Sequence, residues 1–195
     1  RALYLLAAGR AEEALPHLEE AERRDPLSHR LKWQVGQAYA CAGLREEAVR
    51  QMEELRSWYQ EESPDLHHSL GYAYAAAGRH AEARTALERA VALSDSRPAY
   101  VAGLAYVLAL AGEEREARER VDWLDREYPG WPRAAPEALA VLGDTARVVA
   151  ILREVYRQNP SSLVGFRCNR AYPYLRGHPA LSALERDLGL PAPPG

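Results

Sequence analysis

Four glycines set the frame for this chain: Gly9, Gly43, Gly78 and Gly112, separated by 34, 35 and 34 residues. Behind each of them the same residue sizes recur. Five positions on stands an alanine (Ala14, Ala48, Ala83, Ala117), and nine on a larger apolar residue (Leu18, Met52, Leu87, Val121). Twelve on come Ala21, Leu55, Ala90 and Leu124. These offsets trace the i, i+4, i+7 stripe of one helix face. Gly36 and Gly71 precede Gly43 and Gly78 by seven residues, and each is followed after three by a tyrosine, Tyr39 or Tyr74. A chain that keeps small residues at fixed offsets while varying the rest brings two backbones close at those points and turns at the glycines. The spacing therefore predicts a series of helical hairpins, with a helix A before each turn glycine and a helix B after it. Ala83 is expected at an A/B crossing and its neighbour Arg84 in solvent.

Prolines punctuate the same frame. Pro26, Pro129 and Pro160 fall just past successive B helices, where a residue unable to extend a helix does no harm. Pro16, in the second turn of the first helix B, is expected to kink that helix by removing a backbone hydrogen bond. The stretch RALYLLAAG supplies barely two turns of the first helix A, and the chain is expected to be a piece of a longer protein. A fifth unit, APEALAVLGDTARVVAILREVYRQNP, is degenerate. Its Gly143 follows Gly112 by 31 residues, predicting a helix A about one turn shorter, with Val148, Leu152 and Val155 on the core side of its helix B. Beyond Pro160 the period is lost. HPALSALERDLGL reads as a short amphipathic helix with Pro179 near its start, and PAPPG as a frayed end. A cap is physically required there, because the last hairpin otherwise exposes the face meant for a neighbour.

The period, and the pattern L-G-x-A-Y…G-x-x-x-E-A in LKWQVGQAYACAGLREEAVRQMEEL and HHSLGYAYAAAGRHAEARTALERAVAL, resemble the tetratricopeptide repeat (TPR) family. YVAGLAYVLALAGEEREARERVDWLDREYP departs from it, with Ala105 and Leu108 at the glycine and tyrosine positions. The resemblance implies an all-α fold, a right-handed α-solenoid of stacked antiparallel helix pairs with a C-terminal capping helix. It implies one domain over 1–195, with repeats near 1–28 (partial), 29–62, 64–97, 98–131 and 132–162 (degenerate), then a cap and tail over 163–195. It further implies a concave wall of A helices, whose exposed positions fall by register at Arg30, Trp33, Gln37, Ala40 and Cys41. The next two repeats supply Asp65, His68, Tyr72, Ala75 and Ala76, then Ala99, Ala102, Tyr106, Ala109 and Leu110. Among these, Arg30, Trp33, Gln37, Asp65, His68, Tyr72 and Tyr106 are the candidate peptide-binding residues. Trp33, Tyr72 and Tyr106 would form an aromatic ladder along the groove, or would pack against the neighbouring repeat or the cap. The lysine and asparagine carboxylate clamp of chaperone-binding TPRs is missing at these positions.

The tail from Pro136 to Pro191 resembles the C-terminal end of TPR regions in bacterial signalling proteins. Pro136, Leu139, Ala140, Leu142, Gly143 and Asp144 carry the first part of that likeness. Leu175, Arg176, Pro179, Leu184, Leu188, Gly189, Leu190 and Pro191 carry the second. It implies a sensory or oligomerising arm of a transcription regulator, kinase or adenylate cyclase.

Nothing in the chain is spaced for catalysis. The six histidines make no HExxH, and with Cys41 and Cys168 they make no set at ligand spacing, so no metal, cofactor or catalytic residue is expected. His67 and His68 are adjacent, and adjacent residues of a helix point to different faces. A net charge of -3 supplies no basic face for a phosphate backbone, so nucleic acid is not an expected partner of this region. No run reaches the ~20 apolar residues that span a membrane, and a cytoplasmic location is expected. The leading expectation is a non-catalytic protein–protein interaction module that binds a peptide or protein segment on its concave A-helix face, with self-association as a second kind of partnership. The alternatives are the signalling arm above and an enzyme, for which no motif is present.

Overall fold

Helical hairpins follow one another along the chain. In the computed structural model, which describes residues 2–7, 10–59, 61–129, 135–158, 172–175 and 177–187, the first hairpin is α1 (Ala2–Ala7) with α2 (Ala11–Arg24). The second is α3 (His29–Cys41) with α4 (Arg45–Ser57), and the third is α5 (Pro64–Ala76) with α6 (His80–Leu93). The fourth is α7 (Pro98–Leu110) with α8 (Glu114–Glu127), and the fifth is α9 (Pro136–Val141) with α10 (Thr145–Gln158). Two short helices follow, α11 (Tyr172–Leu175) and α12 (Pro179–Asp187), and no strand occurs among the described residues.

The turn glycines recur because of backbone conformation. Gly43, Gly78, Gly112 and Gly143 all adopt φ between +75° and +80°. In the turn after α3, the Leu44 N–H donates to the Tyr39 carbonyl at 2.9 Å and the Gly43 N–H to the Ala40 carbonyl at 3.2 Å. The same paired bonds run from Arg79 to Tyr74 and Gly78 to Ala75, from Glu113 to Leu108 and Gly112 to Ala109, and from Asp144 to Leu139 and Gly143 to Ala140. They satisfy the orphaned carbonyls of each last helical turn and need a left-handed residue in the middle. No atom lies within 4 Å of a Cβ built on these four glycines, so strain and not crowding selects them. Helices α5, α7 and α9 begin at Pro64, Pro98 and Pro136, where the missing N–H has no intrahelical partner to lose.

The small residues do the other half of the work. Ala14, Ala48, Ala83 and Ala117 are all 0 % exposed, each inside a crossing of helix A over helix B. Gly71 lies so close to its partner helix that a Cβ there would meet Leu87 Cγ at 2.5 Å. One apolar core runs from Val49 on α4 to Leu184 on α12, so hairpins two to five and α12 share it. Leu15, Leu18, Val35 and Ala38 form a separate, smaller cluster between the first two hairpins.

Two expectations change. Helix α9 has 6 residues against 13 in α3, α5 and α7, so it is about two turns shorter and not one. Ala135, at φ 50°, turns left-handed immediately before Pro136, and the helix starts only at the proline. Pro16 lies on the exposed side of α2, and helical backbone continues through it from Ala11 to Arg24. Arg84 is not free in solvent. Its guanidinium bonds Glu88 on its own helix and reaches Glu113 and Glu116 of the next hairpin. Gly9, Pro160, Cys168 and the terminal PAPPG lie outside the described residues.

Candidate functional site

Helices α3, α5 and α7 stand side by side, each the first member of its hairpin. Arg30 is exposed at the start of α3, and Trp33, one turn on, is 37 % exposed. The Trp33 indole bridges to α5, where its Nε1–H donates to Ser69 Oγ at 2.9 Å. The Ser69 hydroxyl in turn donates to the backbone carbonyl of Asp65 at 2.9 Å. Around this bridge is a cavity of about 460 Å³ lined by His29, Arg30, Trp33, Tyr59, Asp65, His68 and Ser69, with Leu55 and Leu66 as its buried apolar part. A narrower cleft of about 130 Å³ adjoins it, lined by Trp33, Gly36, Gln37, Ala40, Met52, His68, Ser69, Tyr72 and Ala73.

The rings are arranged differently from a Trp33–Tyr72–Tyr106 ladder. His68 sits edge-on to Tyr72, centroids 4.6 Å apart, and also to Tyr100 at 5.1 Å. Tyr72 and Tyr106 lie 5.7 Å apart at a tilt of 33°. His68 therefore takes the place expected of Trp33, which joins through its bond to Ser69. Tyr72 and Tyr106 are only 9 % and 6 % exposed, so they do not project freely into a groove. Tyr106 lies on a helix packed against α9, and it is hydrogen-bonded to Tyr174 of α11. The Tyr100 hydroxyl donates to Asp65 Oδ1 at 2.6 Å, tying α7 to α5. Burial first, and then this bond, push the Tyr100 pKa up.

Of the remaining register positions, Cys41 and Ala99 are exposed, Ala40, Ala76 and Leu110 are half-buried, and Ala75, Ala102 and Ala109 are buried. The structure thus gathers Arg30, Trp33, Asp65 and His68 at the cavity and Trp33, Gln37, His68 and Tyr72 at the cleft, while Tyr106 lines neither. Sequence reasoning missed His29, Tyr59 and Ser69. His29 and Tyr59 come from a helix start and a linker, outside the repeat register, and their rings lie 5.0 Å apart. Ser69 was legible in principle, as a hydroxyl one turn after Asp65 beside a candidate histidine. Among the described residues no group of three or more His, Cys, Asp or Glu side chains is placed to hold a metal ion, and no helix is long and apolar enough to cross a membrane.

The tetratricopeptide repeat family matches the sequence at residues 64–96, which is the α5–α6 hairpin, and again at 1–20. The chain folds as a tetratricopeptide-repeat solenoid. Its fold superposes on a thermophilic TPR protein of Thermus thermophilus with a TM-score of 0.63 at 20 % identity, covering 88 % of this chain and 95 % of that one. YrrB, a TPR protein with an unusual peptide-binding site, gives a TM-score of 0.50 at 21 % identity, covering 85 % of this chain and 86 % of YrrB. MamA gives 0.53 at 19 % identity, covering 93 % of this chain and 92 % of MamA. No curated protein sequence matches. At such identities the likeness speaks to fold, an all-α TPR solenoid. TPR scaffolds are typically non-catalytic and bind peptide or protein partners, which makes a protein–protein interaction module the general reading of this one.

Proposed function

We propose that the chain binds a peptide segment of a partner protein, without catalysis, on the A-helix face over its second and third hairpins. One observation carries this reading. The cavity and the cleft share Trp33, His68 and Ser69, so together they form a continuous path between α3 and α5. An amphipathic aromatic beside buried leucines is the usual make-up of a recognition hot spot. In the proposal Arg30, Trp33, Gln37, Asp65 and His68 touch the ligand, Tyr72 walls the cleft, and Tyr106 supports Tyr72 from α7. YrrB carries an unusual peptide-binding site, so a peptide site on this scaffold has precedent. The module would act in the cytoplasm, in keeping with two cysteines that form no framework.

The test begins with a random peptide library displayed on phage and selected on the immobilised chain. Affinities of the selected peptides are then compared on Trp33→Ala and Gln37→Ala variants that keep full helicity. Trp33→Ala is expected to weaken binding roughly tenfold or more, as truncation of a central aromatic anchor does. Unchanged affinity in both variants would overturn the reading.

A second reading, the arm of a larger signalling protein, is favoured by the tail. Leu139, Leu175 and Leu184, three positions of that resemblance, are all buried in the shared core. This reading needs an effector domain encoded upstream of Arg1, and a gene without one would end it.

A further inference from the structure

Equal offsets from the turn glycines fall at equivalent places between one B helix and the next. In the first gap these places hold Glu22 on α2, Lys32 on α3 and Glu54 on α4. Lys32, the only lysine of the chain, is 5 % exposed, with Nζ 2.7 Å from Glu54 and 3.1 Å from Glu22. One buried cation is compensated by two carboxylates. In the third gap the same offsets give Val91, Val101 and Trp123, all apolar. In the second they give Arg56 on α4, His67 on α5 and Arg89 on α6, all basic.

These three line a cavity of about 520 Å³, and Leu70, Tyr74 and Ala86 supply apolar surface beside them. The carboxylate that meets them is Glu62, from the α4–α5 linker. It accepts from Arg89 Nε at 2.7 Å and from Arg89 Nη2, and lies 3.7 Å from His67 Nε2. Glu82 also lines the cavity but is taken by Arg79 at 2.9 Å, and Glu53 nearby accepts the Tyr74 hydroxyl at 2.8 Å. Arg56 pairs with no carboxylate among the described residues. Burial leads in holding the His67 pKa below its usual value, and Arg89 and Arg56 add to it against the opposing pull of Glu62.

We propose that this gap is an anion site for a phosphate monoester with an apolar body, in which Glu62 is a built-in carboxylate placeholder. Two guanidinium groups and an imidazole match the near double charge and three acceptor oxygens of a phosphate monoester. Glu62 already shows that a carboxylate is held there, and it leaves Arg56 unmatched. Leu70, Tyr74 and Ala86 would cover the apolar part of the ligand. The site shares no lining residue with the cavity between α3 and α5, so it stands or falls separately from the peptide reading.

The experiment follows the His67 imidazole by NMR, assigned through His67→Asn, while the whole chain is titrated at constant ionic strength. The probes are phenyl phosphate, inorganic phosphate and benzoate. A saturable His67 shift is expected, tightest with phenyl phosphate and weakest with benzoate. Arg56→Ala is expected to weaken phenyl phosphate about tenfold, the usual effect of removing a charge-assisted contact. Arg56 is exposed and holds no ion pair among the described residues, so this variant is expected to keep the fold. Glu62→Gln is expected to tighten binding by freeing Arg89 from a competing charge. A peptide carrying phosphotyrosine, run beside phenyl phosphate, separates the sources: tighter binding assigns a partner's phosphorylated side chain, and equal binding assigns a small metabolite. An unmoved His67, benzoate as tight as phenyl phosphate, or an Arg56→Ala variant equal to the parent would each overturn the proposal.

Discussion

Helices α3 and α7 occupy the same place in their hairpins and have 13 residues each, yet they meet different surroundings. In α3, HRLKWQVGQAYAC, burial is confined to Lys32, Gln34, Val35, Gly36 and Ala38. In α7, PAYVAGLAYVLAL, every residue from Tyr100 to Ala109 is buried. A helix apolar on all sides is stable only when covered on all sides, and α7 packs against α5, α6, α8 and α9. The polar stripe that α3 keeps is the wall of the open cavity. The A-helix face is therefore accessible early in the solenoid and closed late, because α9 and α11 lie over its later part. A repeat register assigns equivalent positions, and the neighbours of each copy decide whether those positions meet solvent.

The largest effect that could break this comparison comes from Leu108, at the place where α3 and α5 carry Tyr39 and Tyr74. Those tyrosine hydroxyls donate to Glu19 at 2.9 Å and to Glu53 at 2.8 Å on the preceding helix B. Leu108 is 1 % exposed and makes no such bond, and the equivalent Glu88 accepts from Arg84 instead. Leu108→Ala should cost about 2–5 kcal/mol in denaturant unfolding, as a cavity in a covered core does. Trp33→Ala, on the open helix, should change stability little. Similar losses for the two would mean that α3 is as enclosed as α7.

Next in size is the crossing inside each hairpin. An alanine at Gly71 would drive its Cβ into Leu87 Cγ at 2.5 Å, a branched atom with little room to move. At Gly36 the clash is nominally closer, 2.0 Å, but the atom met is Met52 Cε, the free end of a flexible side chain. Thermal melts should show Gly71→Ala losing about 1–3 kcal/mol and Gly36→Ala clearly less. The reverse order would show that the better-covered third hairpin has more slack than the second.

The fold was legible because its causes are local and periodic. A positive φ at Gly43 or Gly78 and a crossing at Ala48 or Ala83 depend on residues a fixed distance away, so the sequence repeats them. The site was less legible because its causes are not periodic. Tyr106 has the register of a groove residue, and only its bond to Tyr174, 68 positions on, shows that it is covered. Tyr59 lies in a linker, where the repeat makes no statement at all. Arg84 looks like a solvated charge until the next hairpin brings Glu113 and Glu116 to it. The brevity of α9 follows from the left-handed Ala135, a loop event that the glycine spacing does not encode.

Lys32 sharpens the contrast at the open end of the molecule. Its ammonium is enclosed by Glu54, Glu22 and the Trp58 ring 4.6 Å away, adding a buried charge to the small apolar cluster that joins the first two hairpins. Lys32→Met should cost about 1–2 kcal/mol, less than breaking a fully enclosed pair, because Glu54 remains half exposed to water. A Lys32→Met chain as stable as the parent, by denaturant midpoint, would show that the first junction rests on its apolar cluster alone.

The smallest effect is one of pH, and its sign follows from Tyr39. Burial first, and then the bond to Glu19, push its pKa up to about 12. A hydroxyl held more tightly protonated in the folded chain contributes stability that is complete below the ordinary tyrosine pKa of about 10 and is lost as pH rises toward 12. Tyr74 and Tyr100 are raised in the same sense, led by burial in each case. For Lys32 burial acts downward, but the hydrogen bonds of Glu54 and Glu22 outweigh it, so its loss runs the same way. Unfolding free energy should therefore fall between about pH 10 and 12. Tyr39→Phe should remove about 1 kcal/mol of that fall, since Tyr39 is only partly enclosed. If Tyr39→Phe keeps the parent slope, the alkaline weakness lies elsewhere, and the polar junctions at the open end contribute less than their geometry requires.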